Sequence, residues 1–457
     1  MDKSMTDVFY EKIDGALQSG AAYADIYVQS SSGHSLHYED CHLEEVSSSI
    51  ADGCGARLVI GDKTYYAHSP GANGGSIDKA FGTSYNSAFG KPYISTGKFG
   101  HEQILESGCI DNPVPTEMLA SIDEEIRGRS KYVKQVTIKC SVSEKNILVL
   151  KPEGKKAEDK RYYCSFAVQV ISEKNGIVQT GYERRCMSVP YARFWENSSP
   201  QKVADTALKR SLLMLDAKRC PAGKMRVLFA GDAGGTIIHE ACGHGLEADI
   251  VDKDYSVYRG KIGQIVAAEN VTMVDDPTIP GLFGGYKFDD EGTDARRNVL
   301  IENGVLKKYM TDVLSARLCG LPLTSNGRRE SYRNIPVPRM SNTFLLPGAA
   351  DFNSMLERCG DGLLVKKMGG GEVNPTSGDF VFYVAEAYMV RNGKIAEPVR
   401  GATLTGNGPE TLRSIIELGD NLVMDPGICG KSGQGVPVTD GQPSMLINEL
   451  TVGGSEG

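Results

Sequence analysis

One short segment of the chain brings together two histidines and a carboxylate, His239, Glu240 and His244. A His-Glu pair followed closely by a second His is typical of a metal site with a general base beside it. On a regular helix, a five-residue separation turns the second side chain roughly 140° away from the first. Both histidines can therefore reach one ion only where the helix ends, tightens or bulges, and Gly243 and Gly245 would permit such a break.

The local sequence pattern alone does not identify the third protein ligand of such a site. A catalytic zinc ion normally takes three protein ligands and keeps a fourth position for water. Cys242, Glu247 and Asp249 are candidates because they are close in the sequence. Cys429 is a distant candidate in a glycine-rich segment, where its alternative interpretation is a buried thiol.

A second group of candidates lies in the segment 326–334, which contains Arg328, Arg329 and Tyr332. Arginine side chains bind carboxylates with two parallel hydrogen bonds and can also donate to backbone carbonyls. We therefore consider these three residues candidates for substrate binding. The alternative is that the arginines are solvated charges of a loop.

Composition limits the classes of protein that this chain can belong to. Its 457 residues are enough for two or three domains, and a net charge of −8 argues against general binding of nucleic acid. The N-terminus lacks the pattern of a secretory signal, and no apolar run approaches the ~20 residues of a membrane helix. Eleven scattered cysteines fit a reducing compartment, so we expect a cytoplasmic protein without membrane partners.

Hydrophobic periodicity gives a coarse map of the elements. It predicts helices near 5–18 and 115–127, after Pro200, and around 412–416; strands at 134–141, 146–150 and 162–171; and hairpins at Gly61, Asn175-Gly176, Asn303-Gly304 and Asn392-Gly393. This order is not a repeating β-α-β pattern, so the sequence favours an α+β fold. We expect an N-terminal mixed domain, 1–220, and a C-terminal domain, 221–457, built on a twisted, mainly antiparallel sheet that carries the metal-site helix.

The segment 239–247, HEACGHGLE, resembles the H-E-x-x-x-H motif of the TldD/PmbA family of metallopeptidases, on its TldD side. The resemblance is dense over roughly 221–457 and looser before that. It continues in blocks at 298–304, 326–332, 338–343, 371–375, 400–404, 429–434 and 442–443. PmbA-like members lack the histidine motif, so this chain is similar to the metal-binding type of subunit.

The resemblance implies a zinc site whose ligands are both motif histidines and a distant cysteine, here His239, His244 and Cys429. It also implies cytoplasmic dimers, either homodimers or heterodimers with a PmbA-like subunit. The substrates that it implies are unstructured peptides, admitted to an enclosed site. The N-terminal domain is then expected to serve dimer formation and substrate access.

From these residues we expect a zinc-dependent peptidase in which Glu240 takes a proton from water and delivers it to the leaving amine. An extended peptide would pair with an exposed strand of the C-terminal sheet, although the sequence leaves open which strand. The alternative is a non-catalytic peptide-binding or partner subunit with a structural zinc. A closed four-ligand site, completed by Cys242 or Glu247, would favour that alternative.

Overall fold

The computed structural model describes residues 5–95, 99, 103–105 and 114–454. Its N-terminal part is one antiparallel sheet with the spatial order β3-β2-β1-β4-β5-β6. The strands are β1 Tyr23–Glu39, β2 His42–Ile60, β3 Lys63–Pro70, β4 Val133–Lys151, β5 Lys155–Lys174 and β6 Ile177–Met187. The helices are α1 Met5–Gln18, α2 Gly74–Phe89, α3 Thr116–Arg129, α4 Tyr191–Phe194 and α5 Pro200–Leu215.

Helix α1 shows why the periodicity predicted this architecture. Phe9, Ile13 and Ala16 recur at helical spacing, and all three are fully buried. They pack in one core with Ile26 and Val28, which alternate along β1 and point to the same face of the sheet. The predicted helices at 5–18, at 115–127 and after Pro200 are confirmed, as are the hairpins at Gly61 and Asn175-Gly176.

Helix α2 was not predicted from the sequence. It is rich in glycine and serine, which weaken the helical signal. The side chain of Asn73 caps its first turn by accepting the N–H of Ser76, and Gly90 ends it in the left-handed conformation. Burial of Ile77 and Phe81 against the sheet supplies the stability that local propensity lacks.

Two predicted elements differ from the structure. The separate strands predicted at 134–141 and 146–150 are one continuous strand, β4, because β1 and β5 pair with its polar middle without interruption. The helix predicted around 412–416 is wrong in its second half. It ends at Arg413, and Ile415 begins a strand that pairs with the C-terminal strand, which buries that branched side chain.

The face of the N-terminal sheet opposite the helices packs on the C-terminal part, and buried ion pairs cross this contact. We call the contact between the two parts the seam. Arg57 of β2 contacts Asp25 within the sheet and Glu291 across the seam, the latter at 2.6 Å. Arg161 of β5 reaches Asp290 across the same seam at 2.8 Å. Since these groups are almost wholly buried, each charge depends on its partner for compensation.

Replacement of Arg57 by Met is expected to lower the free energy of unfolding by about 3–5 kcal/mol, because it leaves two buried carboxylates, Asp25 and Glu291, without their counterion. Urea unfolding of the full chain measures this difference. The matched control is Arg193→Met, which breaks an exposed pair with Glu196 and should cost at most about 1 kcal/mol. Equal losses in the two variants would contradict the role of the seam.

The C-terminal part contains two large sheets. One has the order β11-β10-β9-β14-β21-β20, in which only β14 and β21 are parallel. Its strands are β9 Met273–Asp275, β10 Asn298–Glu302, β11 Val305–Leu306, β14 Asn342–Leu345, β20 Val423–Lys431 and β21 Gln434–Gln442. The predicted hairpin at Asn303-Gly304 joins β10 to β11, with both residues at positive φ.

The other sheet closes on itself, because β15 pairs with both β8 and β16 at the two ends of the run β15-β8-β22-β18-β16. Its strands are β7 Lys218–Arg219, β8 Gly223–Phe229, β15 Gly362–Val373, β16 Asp379–Arg391, β17 Lys394–Arg400, β18 Thr403–Asn407, β19 Ile415–Leu418 and β22 Met445–Gly453. The predicted hairpin at Asn392-Gly393 joins β16 to β17. The expected α+β class with mainly antiparallel pairing is confirmed.

The remaining elements of this part are short. They are α6 Thr236–Ile238, α7 Ala248–Asp252, α8 Val313–Cys319, α9 Phe352–Cys359, α10 Gly408–Arg413 and the paired strands β12 Gly327–Arg328 and β13 Val337–Pro338. The largest hydrophobic core of the described residues lies between the two large sheets and buries α6 together with the turn that follows it. In the described part of the chain, no helix is both long and apolar enough to cross a membrane.

Candidate metal centre

The helix that carries the histidine motif changes its winding at the motif. The single turn of α6 continues into a π-helical turn, His239–Gly243, and then into a 3-10 turn, His244–Leu246. The backbone N–H of His244 donates to the carbonyl of His239, five residues back. This wider turn places both imidazoles on one side, with ring centroids 5.0 Å apart and ring planes at 90°.

Glycines allow the surrounding chain to pack tightly against this turn. A Cβ atom on Gly243 would lie 2.1 Å from the sulfur of Met340, and one on Gly408 would lie 2.1 Å from the carbonyl oxygen of Ala241. Both distances are far below van der Waals contact. The π-helical turn is therefore held between Met340, which precedes β14, and α10 by contacts that only glycine permits.

The distant cysteine lies on β20 and meets both imidazoles. The Cys429 Sγ is 3.2 Å from His239 Nε2 and 3.5 Å from His244 Nε2. The three ligand atoms lie within 4.8 Å of one another, and all three side chains are largely buried. Two imidazole nitrogens and a thiolate sulfur are donors that zinc prefers, so the arrangement fits a zinc ion.

A second layer of polar groups orients the two histidines. The Nδ1 atom of His239 lies 2.6 Å from Asp440 of β21, and that of His244 lies 3.0 Å from Glu247. Carboxylates at Nδ1 fix the tautomer that leaves Nε2 free for a metal. The sequence analysis did not identify Asp440, because it is 201 residues from His239 and no local pattern links the two.

The other ligand candidates do not converge with the two histidine Nε2 atoms and the Cys429 sulfur. The Nζ atom of Lys431 lies 2.9 Å from Glu247 and 2.6 Å from Asp249, so both carboxylates serve this ion pair. Cys242 is buried beside Tyr258, and burial raises the pKa of its thiol to about 12. None of the three joins the cluster formed by the two histidines and Cys429.

Glu240 lies on the more open side of the cluster. About a third of its side chain is exposed, and its Oε2 atom is 3.8 Å from His244 Nε2. The Glu240 carboxylate thus lies next to the three ligand atoms but is not enclosed by them. This is the position that a group exchanging protons with water requires.

The charges within the cluster shift three pKa values. Burial raises the pKa of Cys429, but the two imidazoles outweigh burial and bring it down to about 5. Burial lowers the pKa of His244, but the charges of Glu247 and Cys429 bring it up to about 9. Burial also lowers the pKa of His239, and Asp440 and Cys429 again outweigh it, so that pKa stands well above its usual range.

Zinc binding to this cluster is therefore expected to release about two protons per ion at pH 7. Both imidazoles must lose a proton before Nε2 can bind a metal, whereas Cys429 is already a thiolate. Since those two pKa values are raised, affinity should rise as the pH increases from 6 toward 9. Titration calorimetry in buffers of different ionisation enthalpy counts the protons, and release of none would contradict the assigned charges.

Replacement of Lys431 by Met is expected to weaken zinc binding roughly tenfold, because Glu247 would lose its buried counterion and position His244 less firmly. Competition with a chromogenic chelator measures the affinity. Lys366→Met is the matched control, since that lysine pairs with Asp232 in a more exposed position. An unchanged affinity in the Lys431 variant would exclude this positioning role.

The structure places the candidate substrate residues at the seam. Arg328 and Arg329 are almost wholly buried and donate to the backbone oxygens of Met340 and Asp290, respectively. Tyr332 is also buried and packs against β1 of the N-terminal sheet. Both arginines line a cavity, whereas Tyr332 does not border it. Their role in substrate binding stays a prediction.

Comparison with known proteins places this architecture in one class, the PmbA/TldA metallopeptidases. Models of domain 1, the central domain and the C-terminal domain of that class match residues 24–88, 107–215 and 222–454. The chain belongs to the TldD/PmbA family, and it is of the TldD-like type that bears the histidine motif. The predicted resemblance is confirmed over nearly the whole chain.

Individual relatives agree with this assignment. A metalloprotease TldD homolog from Haemophilus influenzae is 37% identical over 448 residues, which cover 95% of this chain and 93% of the relative. A zinc metalloprotease TldD homolog from Saccharolobus solfataricus is 35% identical over 249 residues, 54% of this chain and 55% of the relative. The crystal structure of TldE from Thermococcus kodakarensis shares the fold, with a TM-score of 0.75 at 17% identity, over 98% of this chain and all of that one.

Proposed function

We propose that this protein is a zinc-dependent peptidase that hydrolyses unstructured peptides. The observation that carries the proposal is the convergence of His239, His244 and Cys429 with Glu240 beside them. The names of its curated relatives, metalloprotease and zinc metalloprotease, support the same activity. In this proposal the first three residues hold the ion and Glu240 is the general base.

The chemistry that a bound zinc ion supplies is Lewis acidity toward water and toward a peptide carbonyl. Glu240 takes the proton of the attacking water and passes it to the departing amine, so that the amide bond breaks without releasing a strong base. Asp440 and Glu247 keep the two imidazoles in the tautomer that presents Nε2. Burial of the cluster keeps competing water from these contacts.

The geometry of β21 shows which backbone groups of its neighbour β20 are free. The N–H of Gly435 donates to Glu330, and the N–H of Thr439 donates to Ser341, both at 3.0 Å. Pro437, between them, has no N–H. Every second residue of this stretch of β21 therefore directs its backbone polar groups away from β20.

The residues paired with them on β20 then direct their own N–H and C=O groups to the outer edge. Ile428 and Gly430 are two of these, and they flank Cys429. Because β20 is the last strand of its sheet, that edge is available for pairing. We propose that a peptide adds to β20 as a further strand, bound through its backbone and thus with little sequence selectivity.

The partner proposed for this chain is a second copy or a PmbA-like subunit. A TldE protein shares its fold, which supports assembly of two such subunits. We assign dimer formation and substrate access to residues 1–220, and catalysis to 221–457.

The edge strand of the N-terminal sheet, β6, lies beside β20, where Arg184 and Asp425 approach to 3.6 Å. Access to the site from that side passes between the two parts.

The experiment that tests the function is hydrolysis of a casein-like unfolded substrate by the full chain, alone and with any co-purifying subunit. We expect cleavage that a chelator abolishes and that added zinc restores. A folded protein of similar size, which cannot pair with a strand edge, should stay intact. Tightly bound zinc without any cleavage would instead support the alternative, a partner subunit with a structural zinc.

A further inference from the structure

A cavity of about 330 Å³ lies between the N-terminal sheet and strands β20 and β21, apart from the metal cluster. Its N-terminal wall is rich in hydroxyl groups, from Ser31, Ser49, Ser141 and Ser143. On the opposite wall, Ile428 lines the cavity and directly precedes Cys429 on β20. The cavity is thus polar and next to the proposed peptide-binding edge.

Three cations that line this cavity, Lys145, Arg328 and Arg329, lack a carboxylate partner among the described residues. The guanidinium of Arg329 is occupied by the carbonyl of Asp290 at 3.0 Å and the hydroxyl of Tyr66 at 3.3 Å. The Nζ atom of Lys145 donates to the carbonyl oxygen of Glu330 at 2.7 Å. Arg328 is 2% exposed; one of its Nη atoms donates to the carbonyl of Met340 at 2.6 Å, while its Nε atom is buried without a partner. Within the described part of the chain, no carboxylate oxygen lies within 4.0 Å of any of these three cations.

The carboxylates that line the cavity are already engaged. Glu144 pairs with Lys160 at 2.7 Å, and Asp290 pairs with Arg161 at 2.8 Å. Glu330 accepts a backbone N–H at 3.0 Å. The lining thus carries the cations Lys145, Arg161, Arg328 and Arg329 against the carboxylates Glu144, Asp290 and Glu330, a net positive charge that favours an anion there.

The environment of Lys145 agrees with this imbalance. Burial lowers the pKa of its ammonium group to about 8, and the nearby Arg161 and Arg328 act in the same direction against Asp290. A bound carboxylate would favour the charged ammonium and relieve the repulsion among the cations. The hydroxyl groups of the opposite wall can donate further hydrogen bonds to the same anion.

We propose that this cavity binds a carboxylate of the peptide substrate, with Lys145 and Arg328 as the recognising cations. This inference rests on the proposed peptidase function. A peptide paired with β20 beside Cys429 places its residues at steps of about 3.4 Å along the strand, with side chains on alternate faces. A residue one or two positions from the scissile bond then reaches the cavity with either an acidic side chain or the C-terminal carboxylate.

The test uses pairs of synthetic fluorogenic peptides on the full-length, zinc-loaded protein. In one pair, Glu replaces Gln near the cleavage site; in the other, a free C-terminus replaces an amide. In one of the pairs, we expect the acidic peptide to have a KM roughly tenfold lower than its neutral partner. This ratio corresponds to the strength of one charge-assisted hydrogen bond. The pair that shows the difference identifies the source of the carboxylate.

Lys145→Gln should reduce that difference to less than about twofold while leaving the KM of the neutral peptide unchanged. Ser143→Asp, which places a carboxylate in the cavity, should do the same. The matched control is Lys139→Gln, on the same strand and the same face but exposed and outside the cavity. Equal KM values within both pairs for the unmodified protein would overturn the proposal, as would a difference that persists in both cavity variants.

Binding to the Glu240→Gln protein, followed by fluorescence anisotropy, separates this proposal from the peptidase function. Tighter binding of the acidic peptide that depends on Lys145, without hydrolysis by any preparation, would refute the peptidase and retain the subsite. Hydrolysis without discrimination would refute only the subsite.

Discussion

Replacement of Glu240 by Gln is expected to lower kcat by about a thousandfold while zinc content stays near that of the unmodified protein. The amide keeps the size of the side chain but cannot accept a proton from water, and a general base contributes roughly 10²–10⁴ in rate. The carboxylate lies 3.8 Å from His244 Nε2 and is not enclosed among the three ligand atoms. The ion should therefore remain bound.

Steady-state hydrolysis of an unfolded substrate and metal analysis of the same preparation measure the two quantities. Glu302→Gln, at an exposed hairpin end outside the site, is the matched control and should leave both unchanged. Hydrolysis that survives in the Glu240 variant would remove the general-base role. Loss of zinc together with activity would instead indicate that Glu240 helps to hold the ion.

Replacement of Cys429 by Ser is expected to lower zinc affinity by more than about a hundredfold, since the loss of an outer-sphere partner alone costs 10–100-fold. A hydroxyl is a far poorer ligand for zinc than a thiolate. The Cys429 sulfur also lies within 3.5 Å of both imidazole nitrogens. Its removal opens the cluster on the side of β20.

Zinc content after dialysis, with activity as a second readout, measures this effect. The control is Cys319→Ser, a partly exposed cysteine that contacts Asp252 and should keep its zinc. Full occupancy in the Cys429 variant would transfer the third-ligand role to Glu247, Asp249 or Cys242. The structure argues against each of the three, because their side chains face Lys431 or the hydrophobic core.

The sequence could predict most elements whose side chains are buried in a regular pattern. Helix α1 and the hairpin at Asn175-Gly176 are found where apolar periodicity and turn residues predicted them. The pattern failed where tertiary contacts override it. Helix α2 has too little local propensity to be recognised, and Ile415 is held in a strand by pairing with β22.

The candidate site divides in a similar way. His239, Glu240 and His244 could be identified from residue type and spacing, because they lie in one short segment. Cys429 is 185 residues from His244. Its residue type made it one of four candidates for the third ligand, and only the family resemblance singled it out. Asp440 and the seam cavity were beyond prediction, because they depend on how separate sheets pack against one another. The cytoplasmic location stays a prediction.

The π-helical turn has a consequence for the length of the motif. A π-turn is what a regular α-helix becomes when it accommodates one additional residue within a turn. The five-residue spacing of His239 and His244 thus yields the same-side geometry that a four-residue spacing gives in an undistorted helix. Deletion of one residue between the histidines would restore ordinary winding and keep them facing together, whereas an insertion would turn them apart. The two spacings are alternative chain lengths for one arrangement of ligands.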